Sequence, residues 1–202
     1  MLKKIIAVSL LFVGSLYAGS INIALAANVS YAIGELKSEF NKIHPDIQVE
    51  VTLGSSGKLT AQIKNGAPCD IFMAANMKYP EALYKDGFAT SKPTIYAQGS
   101  LAILSNTKKD FTQGIKLVED KKIKTIAIAN PQTAPYGKAA KEAFTNMKIL
   151  DAIEPKLIYA ESISQTVSYA VTAADIGLIA KSSLYSPTMK HYKQNINWVA
   201  VD

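Results

Sequence analysis

Four short segments carry residues able to hold an anion: Ala27-Asn28-Val29-Ser30, Gly54-Ser55-Ser56-Gly57, Ala134-Pro135-Tyr136-Gly137 and Glu161-Ser162-Ile163-Ser164. Each stands where an apolar run gives way to helical spacing, which makes it a strand-to-helix junction. At such a junction the first backbone N–H groups of the helix have no partner within it. A helix start carries roughly half a positive charge, so four converging starts would offset about two negative charges with neutral donors. Ser, Thr and Asn are also the ordinary N-caps of any helix, so one junction alone says little. Four in one chain point to a small dianion held at the carboxyl ends of strands, where open α/β sheets bind ligands.

Sharper chemistry is not supported. Gly54-Ser55-Ser56-Gly57-Lys58-Leu59 has its glycines too close together for a P-loop, and Leu59 stands where a magnesium-holding hydroxyl is needed. It also lacks the Gly-x-Ser-x-Gly spacing of a nucleophile elbow. His44 precedes Pro45 at a helix end and is expected to act as a dipole partner, and His191 is far away in sequence, so a histidine zinc site has no basis. Asp70 and Asp175 are isolated carboxylates. Asn28-Val29-Ser30 matches a glycosylation sequon, a tripeptide that arises often by chance. The chain is therefore not expected to be an enzyme, and no cofactor is expected. A hydrolase using Ser56 as nucleophile, the reading from a different class, would need a base that neither histidine motif supplies.

The elements that must position these segments follow from periodicity. Strands are expected at Ile21–Ala26, Ile47–Leu53, Asp70–Ala75, Ser100–Leu104, Thr125–Ala129 and Lys156–Tyr159. Helical spacing covers Tyr31 to His44, stopping at Pro45, then Leu59 to Lys64, closed by Asn65-Gly66, and Pro80 to Lys85. Strands alternating with helices mean an α/β fold with a largely parallel sheet.

Composition narrows the partners. Of 202 residues, 49% are apolar and 19% charged, the balance of a globular protein with a sizeable core. The net charge is +6, and all 22 basic residues are lysine. Without arginine, bidentate guanidinium clamps and guanine readout are excluded, and the scattered lysines give no nucleic-acid patch. Lys58 and Lys138 stand near junctions and are expected to be surface lysines rather than anion ligands. Met1-Leu2-Lys3-Lys4, the apolar run Ile5 to Val13 and small residues up to Ala18 read as a secretory signal over 1–18, too short to span a membrane. No Cys follows at a lipid-attachment position, and the lone Cys69 allows no intrachain disulfide.

The order of these segments, with Gly66-Ala67-Pro68-Cys69-Asp70-Ile71-Phe72, Asn130-Pro131 and Asp175-Ile176-Gly177-Leu178, resembles the periplasmic molybdate-binding proteins, the substrate-capturing components of ABC importers. The resemblance covers nearly all of the chain after the leader. It implies a type II periplasmic binding protein, α/β, with two lobes, each a mostly parallel sheet flanked by helices. The first lobe would take 20–98 with 182–202 returning to it, and the second 99–181. The implied ligand is molybdate or tungstate, touched at its oxygens and not at the metal. Asn28 matches the first-loop position that contacts the oxyanion and Ser56 the second-loop serine that offers hydroxyl and N–H, while Tyr136 and Ile163 match positions that use the backbone N–H. Ala180 stands where some relatives place a tyrosine hydroxyl, so that bond is not expected. The partners implied are an ABC transporter permease and no nucleic acid, with a monomer in the periplasm. Relatives continue beyond Asp202 with another strand and a terminal helix, so apolar surface is expected on the first lobe of a product ending there. A sulfate- or phosphate-binding protein is the same-class alternative. The effector lobe of a transcription regulator shares the fold class, but the leader and the missing DNA-binding helices speak against it.

Overall fold

The computed structural model describes residues 19–201; the leader expected over 1–18 lies outside them. Two sheets organise the chain. In the first lobe β1 (Gly19–Ala26) lies between β2 (Ile47–Gly54) and β3 (Ile71–Met73), all parallel, with Gly19 opposite Ile47 and Ala26 opposite Gly54. Helices α1 (Ile33–Ile43), α2 (Ser56–Lys64) and α3 (Lys78–Lys85) alternate with these strands.

The second sheet runs in the order β6-β5-β7-β4-β8. Its strands are β4 (Leu101–Leu104), β5 (Ile126–Ala129), β6 (Leu157–Ala160), β7 (Ile176–Ala180) and β8 (Trp198–Val201). β6, β5 and β7 are parallel, and β4 is antiparallel to both β7 and β8. Helices α4 (Pro135–Asn146), α5 (Leu150–Ile153) and α6 (Ile163–Thr172) belong to this lobe. β4, β5 and β7 are buried along their whole length, which explains why they read as unbroken apolar runs rather than alternating ones. β4 and β5 were nevertheless expected from their apolar runs, whereas β7 was not.

Three expectations are corrected. The segment 182–202 does not return to the first sheet: β8 pairs with β4, Trp198 opposite Leu104, and fills the free edge of a buried strand. Part of it does reach back: in the 3-10 segment Lys181–Tyr185 the Ser182 hydroxyl donates to Asn28 O at 3.2 Å, and Tyr31 packs against the cluster that holds Leu184 and Met189. The second correction concerns α2, which starts at Ser56, three residues before the apolar spacing shows it. The third is the first junction. Ala27–Val29 is a 3-10 turn, and α1 starts later, after Ala32. Short bonds from Ser30 N to Ala27 O (3.2 Å) and Ala32 N to Val29 O (2.9 Å) close tight turns there instead of an α-helix.

The core is concentrated in the second lobe, where Ile103, Leu104, Ile126, Ile128, Phe144, Ile176 and Leu178 are fully buried. The first lobe contributes Leu25 and Leu59 but leaves α1 without a buried residue. Leu36, Ile43, Leu53 and Ile71 are exposed there. Among the described residues no helix is long and apolar enough to cross a membrane.

Candidate functional site

The chain leaves the carboxyl ends of β1, β2, β5 and β6 through the four junction segments, and contacts between the lobes join them: Gly57 N donates to Thr133 O at 2.8 Å and Lys58 pairs with Glu161. The space where they meet is the candidate cleft. α2 opens at the cleft with Ser55 as its N-cap residue, in extended backbone conformation. A serine there ordinarily accepts an N–H from the first turn. Here it does not: α2 has no side-chain cap, and the Ser55 Oγ is buried with no hydrogen-bond partner. An unpaired buried hydroxyl costs about 1–3 kcal/mol. The next residue, Ser56, is completely buried. Its Oγ accepts from the Ala75 N–H at 3.0 Å, which ties α2 to the carboxyl end of β3 and leaves the hydroxyl proton free to donate.

Asn28 lies on the 3-10 turn after β1, and its Oδ1 is also buried and unpartnered. Asn76, just beyond β3, has an unpartnered buried Oδ1 as well. Sequence reasoning missed Ser55 and Asn76. Ser55 stood inside a segment already singled out, but nothing in the sequence distinguishes a capping serine from a non-capping one.

From the second lobe, α4 starts with Pro135 at a first-turn position and no side-chain cap, leaving the N–H groups of Tyr136 and Gly137 for outside partners. The Tyr136 side chain is 8% exposed and runs toward the crossover from the first lobe. A Cβ built on Gly99 would lie 2.0 Å from the Tyr136 Oη, so Gly99 is the residue that lets the phenol in. Burial pushes the Tyr136 phenol pKa up, the nearby Tyr96 adds to this, and hydrogen bonding by the Asn28 side chain pulls it back. The phenol therefore stays neutral at physiological pH. Asn28 and Tyr136, from different lobes, are neighbours.

α6 is the capped terminus. Ser162 Oγ accepts from Gln165 N at 3.3 Å, and Gln165 Oε1 accepts from Glu161 N at 2.7 Å. Those bonds leave the first N–H of the helix, on buried Ile163, outside the cap. Ala180 is buried at the end of β7 and brings no hydroxyl. Lys58 pairs with Glu161 across the cleft, and Lys138 pairs with Glu142 at 3.4 Å on its own helix. Both lysines near the junctions thus face carboxylates. No group of three or more His, Cys, Asp or Glu side chains able to hold a metal ion occurs among the described residues. The junctions bring together hydroxyls and free backbone N–H groups, which can donate, and the unpartnered amide oxygens of Asn28 and Asn76, which can only accept.

Comparison with known proteins follows the same line. The family described as bacterial extracellular solute-binding protein matches residues 21–201. The molybdate-binding protein ModA of Azotobacter vinelandii is 33% identical over 171 residues, 83% of this chain and 67% of that protein. ModA of Rhodobacter capsulatus is 32% identical over 170 residues, 83% of this chain and 66% of its own. This chain thus spans about two thirds of the length of both. The solved structure of the Azotobacter vinelandii periplasmic molybdate-binding protein superposes with a TM-score of 0.75 at 34% identity, covering 79% of this chain and 71% of that one.

Proposed function

Because the chain belongs to the bacterial extracellular solute-binding protein family, we propose that its cleft captures a tetrahedral oxyanion, molybdate or tungstate, for an ABC transporter and closes over it by a hinge motion. The chain is a binding protein, and nothing is transformed in the cleft. The observation that carries the reading is the α2 start: a buried N-terminus whose serine does not cap it, next to a serine whose hydroxyl proton is free. Ser56 and Asn28 contact the anion from the first lobe with side chains, and Tyr136 and Ile163 from the second with backbone N–H groups. A dianion that bridges both sets of donors favours the closed arrangement over the open one, which is how binding drives closure.

Charge does not separate molybdate from sulfate, since both are dianions. Size does. Sulfate has shorter bonds to oxygen and cannot reach fixed donors on both lobes at once. Delivery to a permease and action as a monomer in the periplasm, after removal of residues 1–18, complete the proposal; the relatives' extracellular class supports the location.

Calorimetric titration of the purified protein with molybdate, tungstate, sulfate and phosphate tests it. Tight binding of the first two with weak or no binding of the others is expected. Equal or tighter binding of sulfate or phosphate would replace molybdate with another oxyanion, and no binding of any of the four would end the reading.

A further inference from the structure

Gly57, the second residue of α2, has no backbone reason to be glycine. Its φ lies outside the left-handed region, and within a helix alanine is the better residue. What excludes a side chain is the opposite lobe. A Cβ on Gly57 would sit 2.9 Å from Thr133 O and 3.0 Å from Thr133 Cα, both backbone atoms, and 3.1 Å from the Tyr79 hydroxyl. The Gly57 N–H also donates to Thr133 O at 2.8 Å, so this helix-start donor is given to the second lobe and is not available to a ligand.

Thr133 cannot easily step aside. It belongs to a tight turn in which Ala134 N donates to Asn130 O at 2.8 Å and Gln132 N donates to Asn130 Oδ1 at 2.9 Å. The turn aims two consecutive carbonyls at the first lobe: Thr133 O takes the Gly57 N–H, and Gln132 O takes the Tyr79 hydroxyl at 3.4 Å. One residue further along α2, Lys58 pairs with Glu161, the residue just before the Ser162 cap of α6 in the second lobe. All three contacts join one lobe to the other, and none can survive if the cleft opens.

We propose that Gly57 is the centre of an interlobe latch, closed by the Thr133 and Gln132 carbonyls and by the Lys58–Glu161 pair, which sets the lifetime of the bound anion without touching it. The inference rests on the reading of the cleft as a ligand trap. Ligand affinity falls in proportion to the population of the binding-competent closed state, so a residue that acts only on closure changes affinity through release.

The test is Gly57→Ala, read in three ways. Spin labels on Cys69 and on a cysteine replacing exposed Lys121 report the distance between the lobes without any anion present. Stopped-flow mixing with molybdate gives association and dissociation separately, and thermal unfolding gives stability. The expected result is loss of the short-distance population, a dissociation rate up by about tenfold or more with association within about twofold, and an unfolding midpoint no lower than the parent's. The charge swap Lys58→Glu with Glu161→Lys should release molybdate more slowly than either single reversal. Unchanged lobe distances in Gly57→Ala would overturn the latch, and so would an affinity loss confined to association or a fall in the unfolding midpoint. If the parent protein takes up no molybdate, the functional reading fails, while the distance measurement still decides on the latch.

Discussion

Replacing Ser56 by alanine should damage binding far more than folding, and the structure gives both magnitudes. The hydroxyl has one proton and two lone pairs. One lone pair accepts the Ala75 N–H at 3.0 Å, and the residue is fully buried, so the proton does not face water. On folding, the change removes one ordinary hydrogen bond, about 1 kcal/mol. For a chain of this size that lowers the unfolding midpoint by roughly 2–4 °C. On binding, it removes a hydrogen bond to a charged group, about 1.5–3 kcal/mol. That corresponds to a roughly 10- to 150-fold rise in Kd. Calorimetry with molybdate on the folded variant, beside a thermal scan without ligand, separates the two effects. A Kd within about twofold of the parent, with the fold intact, would show that the Ser56 hydroxyl faces no ligand and would remove the main support for placing the anion at α2.

Tyr136→Phe should keep most of the affinity if the backbone N–H is the donor. Tyr136→Pro should abolish binding by removing that donor. Tyr136→Ala should cost about 3–5 kcal/mol in stability, because the ring fills buried space beside Gly99. Lys58→Gln with Lys138→Gln should slow association at low salt and speed release, yet leave the molybdate-over-sulfate preference in competition titrations unchanged. Loss of that preference would place a lysine on the anion. Asp175 accepts from Lys124 N, Thr125 N and the Thr125 hydroxyl, and the backbone bond from Lys124 is the foremost cause holding its carboxyl below the ordinary 3.8. A carboxyl depressed by folding adds stability above its unfolded value and loses it as pH falls through the folded one. Asp175→Asn should therefore narrow the gap between unfolding midpoints measured at neutral pH and below about pH 3.8, and an unchanged gap would show that the carboxylate carries no net weight.

The α/β class, six of the eight strands among the described residues and the later turns from strand to helix were legible in the sequence, because each depends on local matters: apolar periodicity, a stopping Pro45, the Asn65-Gly66 helix end; the 3-10 turn at the first junction was not. The family could be seen from ordered segments spread along the chain, which specify a fold without specifying contacts. What a local pattern could not carry was decided by pairing across long separations. β7 lies between β5 and β4, parallel to one and antiparallel to the other, a placement its apolar run does not announce. β8 joins β4 although nearly a hundred residues divide them, and nothing in Trp198–Val201 alone distinguishes that edge from one in the other lobe. The same holds for the candidate site. The resemblance picks out Asn28, Ser56, Tyr136 and Ile163 as the positions proposed to meet the anion. That Ser55 does not cap its helix, that Lys58 is spent on Glu161, and that Gly57 is glycine for the sake of Thr133 follow only from bringing two lobes face to face. A hydrogen bond or a steric limit between residues distant in sequence exists only after the chain has folded, so it leaves no periodicity or motif behind.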